Sequence, residues 1–295
     1  MIPPLRIALS GGAMLGLAHI GALEVLQEGG HLKCVREYIG TSAGAFLAFC
    51  ICIGYTLSEL RALITVFNFT QIQNLEPEII FGFMESYGID NGANVEKLLG
   101  VLLRAKGHSP EITFQEFSEK FPERPTMRIF ATEVSKSSLK EFSQKETPTV
   151  TLKFAVRASV SIPMIFTPVE DLSGALFVDG GIIAHFPFHT LTDTERAETI
   201  GITFHINKFQ VGTTPITNIL DYFKQLYSSA YFHQEERLYR DWSHRIIVVR
   251  PLNSSPFNFE ASPEEKELLM EAGRVSALEF FRTAPLKLRR RYSSP

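Results

Sequence analysis

Gly40-Thr41-Ser42-Ala43-Gly44 puts a serine hydroxyl in the middle of a turn made of small residues. Before it, Cys34 to Ile39 ends like a short strand; after it, Ala45 to Ile53 reads as a buried helix. Strand, G-x-S-x-G, helix is the setting of a nucleophile elbow, which lifts the serine clear of the sheet. Small residues at Gly40, Ala43 and Gly44 suit so tight a turn. The helix that follows aims free N–H groups and partial positive charge at the serine.

A serine nucleophile needs a base for its proton and N–H donors for the oxyanion that develops on the carbonyl it attacks. Two glycine motifs offer them. Leu5 to Leu9 reads as a strand that runs into Ser10-Gly11-Gly12-Ala13-Met14-Leu15-Gly16. A glycine loop between strand and helix turns backbone N–H groups toward an anion. Ala175 to Val178 reads as a strand ending in Asp179-Gly180-Gly181, whose glycines let the backbone bring a carboxylate close to a partner. Ser42, Asp179 and the amides of Gly11, Gly12 and Ala13 thus supply nucleophile, base and oxyanion donors. Each glycine motif taken singly is also compatible with an ordinary turn.

Together these motifs resemble the patatin-like phospholipases, which pair an N-terminal glycine-rich oxyanion loop with a G-x-S-x-G elbow one β-α unit later and a downstream D-G-G or D-G-A. Leu17 to Leu23 is similar to the family's helix after the loop. Ala155 to Val169 is similar to its segment before the aspartate strand. The resemblance covers about Leu5 to Ile206. It implies a lipid acyl hydrolase with a Ser-Asp dyad and no catalytic histidine, no cofactor or metal, and a lipid substrate met at a membrane or lipid-aggregate surface. In this chain the dyad is Ser42 and Asp179, with Gly40, Gly44, Gly180 and Gly181 as supporting glycines. The chain departs from the family where a third glycine is Ala13 and a basic residue is Leu15. The first restricts φ, and the second removes a positive charge. These departures keep open a second reading, a catalytically weak lipid- or partner-binding module on the same fold.

Positioning these motifs requires alternating strands and helices. Further strands are expected at Thr126 to Glu133, Leu139 to Ser143, Thr199 to His205 and Arg245 to Arg250. Helices are expected at Gly16 to Glu28, Ala43 to Ile53, Thr56 to Phe67, Val95 to Lys106, Phe114 to Phe121, Leu152 to Ser159, Ile216 to Arg240 and Pro263 to Phe281. The alternation predicts an α/β fold, a mostly parallel sheet sandwiched by helices. The chain of 295 residues, 45% hydrophobic, fits one domain over 1–285, with a motif core at 5–206 and an extension at 207–285. A basic tail at 286–295 is expected to be disordered.

A net charge of −3 gives no global attraction to nucleic acid. Three cysteines without a secretory leader predict reduced thiols and an intracellular protein, soluble or peripherally attached to membrane. The apolar run from Ala45 to Tyr55 is too short to span a bilayer, which takes about 20 residues. Asn68 to Asn94, with Phe69, Phe81, Phe83 and Tyr87, reads either as a lid or acyl-chain wall or as satellite core. The aromatic residues of Ile216 to Arg240 read as a face packed on the sheet.

A Ser-His-Asp triad is the chemical rival. Of eight histidines, His185 is nearest to Asp179 in sequence. The α/β-hydrolase arrangement places its elbow after several strands, whereas here the elbow ends the second and the glycine loop ends the first. That order favours the dyad.

Overall fold

The computed structural model describes residues 3–74, 83–205, 216–232, 241–250 and 255–292. Among the described residues, ten strands run β1 (Arg6–Leu9), β2 (Glu37–Thr41), β3 (Gly88–Asp90), β4 (Thr126–Glu133), β5 (Ser138–Phe142), β6 (Met164–Phe166), β7 (Val169–Glu170), β8 (Leu176–Asp179), β9 (Thr199–Phe204) and β10 (Ile246–Val249). The main helices are α1 (Ala18–Glu28), α2 (Ala43–Cys52), α3 (Leu57–Val66), α4 (Ala93–Ala105), α5 (Phe114–Lys120), α6 (Leu152–Ser159), α7 (Ile219–Phe232) and α8 (Pro263–Tyr292).

The main sheet is ordered β10-β9-β1-β2-β4-β8-β7, with β5 also paired to β4. From β10 to β4 the pairings are parallel, while β5, β7 and β8 join antiparallel. The expected parallel sheet flanked by helices is therefore present with an antiparallel margin. Side-chain alternation divides its core between two faces. Ile7, Leu9 and Tyr38 enter the larger cluster, with helices α1 and α2. Ala8, Ile39 and Phe130 enter the smaller one, with Phe186, Phe188 and Leu191.

The register of β4 brings the two ends of the site together. Phe130 pairs with Thr41 at the end of β2, and the next residue, Ala131, pairs with Asp179 at the end of β8. Because β5 occupies the opposite edge over the same stretch, β8 takes up the edge of β4 where β2 leaves it. Ser42, the residue after Thr41, is thereby set beside Asp179.

Two further contacts seat the loop-bearing end of the molecule. α1 and α8 cross backbone to backbone: a Cβ on Gly21 would lie 1.8 Å from the Met270 carbonyl oxygen, and one on Gly273 would lie 1.8 Å from that of Ala18. Met14, in the glycine loop, donates its N–H to the Pro256 carbonyl at 3.0 Å.

α8 runs on through the expected basic tail to Tyr292. One expectation needs correction here. Cys34, expected in a strand, is exposed ahead of β2, while Cys50 and Cys52 are buried in α2. Burial pushes both buried thiols up, away from reactivity. Among the described residues, no helix is long and apolar enough to cross a membrane.

Candidate active site

Ser42 sits between β2 and α2 at φ 54°, ψ −123°. This region is costly for a residue with a side chain, and such strain persists only where surrounding contacts enforce it. Here they do. The Ser42 N–H donates to Ser159 Oγ at 2.9 Å, and Ser159 Oγ donates to the Phe130 carbonyl at 2.6 Å, which ties the elbow to β4. The elbow also presses on the glycine loop. A Cβ on Gly44 would lie 2.3 Å from the Leu9 carbonyl oxygen, so only glycine allows α2 to start so close to the end of β1.

Asp179 is fully buried at the end of β8. Its own N–H donates to the Ser161 carbonyl at 2.8 Å, and Thr132 Oγ1 donates to its carbonyl at 3.0 Å. Ser159 and Ser161, two residues apart, thus hold the backbones of Ser42 and Asp179 respectively. The carboxyl Oδ1 accepts from the Gly181 N–H at 2.7 Å and from the Tyr227 hydroxyl at 3.0 Å. Oδ2 has no partner of full hydrogen-bond geometry among the described residues. Burial is the largest influence on this group and pushes its pKa up to about 6. Hydrogen bonds from Ser42, Gly181 and Tyr227 work in the other direction.

The glycine loop differs in detail from the expectation. The Gly11 N–H, expected among the oxyanion donors, instead donates to the His185 carbonyl at 2.9 Å. Gly11 still lies against the site: a Cβ there would be 3.2 Å from Ser42 Cβ. Ala13 takes a left-handed conformation, φ 45°, which costs a residue with a Cβ about 1–2 kcal/mol. Leu15, standing where the family carries a basic residue, is fully buried in the core, so the exchange trades charge for packing.

Two buried histidines lie by the glycine loop and the turn after Asp179. His19 binds the Ser10 carbonyl through Nε2 at 2.9 Å, and burial lowers its pKa to about 4. Burial also holds His185 well below its usual range.

An apolar cavity of about 130 Å³ opens on Ser42. Its walls include Ala13, Leu17, Phe46, Phe69, Ile72, Val160 and Phe259. The segment from Asn68 to Asn94 thus contributes Phe69 and Ile72 to the wall, whereas Tyr87 is exposed and Phe81 lies outside the described residues. Arg157 braces this segment, donating to the carbonyls of Asn91 at 3.0 Å and Thr167 at 3.2 Å. The aromatic residues of α7 do not simply pack on the sheet. Tyr222 is half exposed, and the Tyr227 hydroxyl reaches Asp179. The other end of that expected helix, 233–240, lies outside the described residues.

Sequence reasoning missed the roles of Ser159, Ser161 and Tyr227. The first two fall in Ala155 to Val169, the segment already similar to the patatin-like phospholipases, which was the available signal.

A sequence model described as patatin-like phospholipase matches residues 7–192. The uncharacterised protein R571 of Acanthamoeba polyphaga mimivirus is 30% identical over 278 residues, covering 91% of this chain and 90% of its own. The probable lipid hydrolase 463L of Invertebrate iridescent virus 6 is 29% identical over 181 residues, 61% of each chain. Among solved structures, VipD from Legionella pneumophila is similar in fold, with a TM-score of 0.61 at 16% identity over 96% of this chain and 67% of its own. The chain belongs to the patatin-like phospholipase family.

Proposed function

We propose that this protein is a lipid acyl hydrolase that cleaves carboxylic esters of phospholipids or related lipids through a Ser42–Asp179 dyad. The observation that carries this reading is the placement of a strained serine beside a buried carboxylate at the end of an apolar cavity. The cavity takes an acyl chain, and the ester carbonyl lies over Ser42. Asp179 accepts the hydroxyl proton as Oγ attacks the carbonyl carbon. The Gly12 and Ala13 N–H groups stabilise the oxyanion. Collapse breaks the ester C–O bond, and Asp179 returns the proton to the departing alcohol. A water that gives its proton to Asp179 then attacks the acyl-enzyme, releasing the fatty acid and restoring Ser42. The substrate is drawn from a membrane or lipid aggregate during turnover.

The direct test is labelling by a fluorophosphonate followed by peptide mapping, alongside hydrolysis of a panel of p-nitrophenyl esters and phospholipids. Labelled Ser42 with ester turnover supports the hydrolase. The left-handed Ala13 favours the alternative of a weakly active binding module. Unlabelled Ser42 with retained lipid binding would select it.

Two expected results follow. Since the base acts only when ionised, hydrolysis falls on the acid side with a midpoint near the Asp179 value of about 6; a rate profile from pH 4 to 9 checks this. Ala13→Gly relieves the left-handed strain. The rate of ester hydrolysis rises, while stability changes by no more than about 1 kcal/mol because glycine also frees the unfolded chain. A fall in rate would mean that the alanine methyl helps to aim the loop.

A further inference from the structure

We propose that Tyr227 is a positioning residue of the dyad: its hydroxyl holds Oδ1 of Asp179, leaving Oδ2 as the oxygen that takes the Ser42 proton. This rests on the dyad reading above. Oδ1 carries two donors, the Tyr227 hydroxyl at 3.0 Å and the Gly181 N–H at 2.7 Å. Oδ2 has none of full geometry among the described residues. A carboxylate anchored in this way keeps one oxygen on its donors, because rotation away from them would leave the Gly181 amide and the Tyr227 hydroxyl without their acceptor.

The surroundings are built for this contact. A Cβ on Gly181 would lie 2.5 Å from the Tyr227 hydroxyl and 2.9 Å from Oδ1, so the glycine after the aspartate leaves the space the phenol fills. The Tyr227 ring meets Phe257 at 6.4 Å between centroids, and Phe259, two residues on, lines the cavity. Ile219, Tyr222 and Leu226 of α7 are exposed, while Tyr227 turns inward to Asp179.

Among the described residues, no charged side chain hydrogen-bonds the carboxyl. Ala131 of β4 pairs with the Asp179 backbone, Thr132 Oγ1 holds the Asp179 carbonyl, and the Gly181 amide holds Oδ1, with His185 next in the chain after the turn Gly181–Ala184. Among the groups that shift its ionisation, all three hydrogen-bond donors are uncharged, and Tyr227 alone is both titratable and removable by a single isosteric change.

The experiment compares pH–rate profiles for a soluble ester in wild type, Tyr227→Phe and Gly181→Ala. Tyr227→Phe removes a donor to the ionised carboxylate. Its acid limb moves up by on the order of one pH unit, a tenfold change in ionisation. Its alkaline plateau falls, because the carboxylate loses a donor that aims it, while KM is unchanged. Gly181→Ala retains the tyrosine but places a methyl where the hydroxyl sits. Its limb moves in the same direction, which gives a second reading of the contact if either variant folds poorly. An acid limb that stays in place in a folded Tyr227→Phe overturns the inference, even if its plateau falls. Asp179→Asn in the same series separates the two readings. If it is inactive while Tyr227→Phe is unshifted, only the role of Tyr227 is lost; if it remains active, the dyad itself is wrong.

Discussion

Asp179→Asn yields an enzyme that is nearly inactive and more stable than wild type. The amide cannot accept the serine proton, and loss of a general base costs about 10²–10⁴ in rate. Stability moves the other way. The Asp179 carboxyl has a folded-state pKa raised to about 6 from an ordinary 3.8, chiefly by burial. The native state therefore binds the proton more tightly than the unfolded chain does. The resulting stabilisation is fully present below 3.8 and is lost as pH rises through about 6. At neutral pH the native state must hold a buried, ionised carboxylate, at a cost of roughly 3 kcal/mol. Asparagine is neutral at every pH and keeps an oxygen for Gly181 and Tyr227. Its thermal midpoint should exceed that of wild type at pH 8, and the difference should shrink toward pH 4. Equal midpoints at both pH values would show that the buried carboxylate is not the strained element inferred here.

Ser42→Ala abolishes ester hydrolysis and fluorophosphonate labelling while leaving the fold intact. Alanine occupies the left-handed position at about the cost serine already incurs, and its N–H still reaches Ser159. What is lost is the nucleophile, whose removal from a catalytic unit costs several orders of magnitude in kcat. A variant that retains more than about a tenth of wild-type turnover would place the nucleophile elsewhere. Circular dichroism and thermal unfolding distinguish loss of chemistry from loss of structure.

Much of this site was legible because its chemistry imposes local rules on the chain. A tight turn around Ser42 demands small neighbours, and those neighbours appear in the sequence. The long strands and helices announced themselves by period: β4 spans Thr126–Glu133 and α6 spans Leu152–Ser159, as their patterns predict. Strands β3, β6 and β7, at three, three and two residues, are too short for alternation to register. Sequence identifies Gly11 as a flexible position, but the acceptor of its N–H is a carbonyl far along the chain, and any residue type supplies a carbonyl. Tyr227 was hidden for a different reason. An aromatic residue among others on a helix reads as packing, and the one hydroxyl that meets a carboxylate is distinguished only by where the helix lands.

The glycine crossing of α1 and α8 sets an order of events during synthesis. The helix behind the glycine loop leaves the ribosome more than two hundred residues before the helix against which it seats. A growing chain therefore carries its serine, loop and aspartate long before the surface that fixes the loop-bearing helix exists. Until Gly273 and its neighbours have been made, the helix that follows the glycine loop has no surface to seat against.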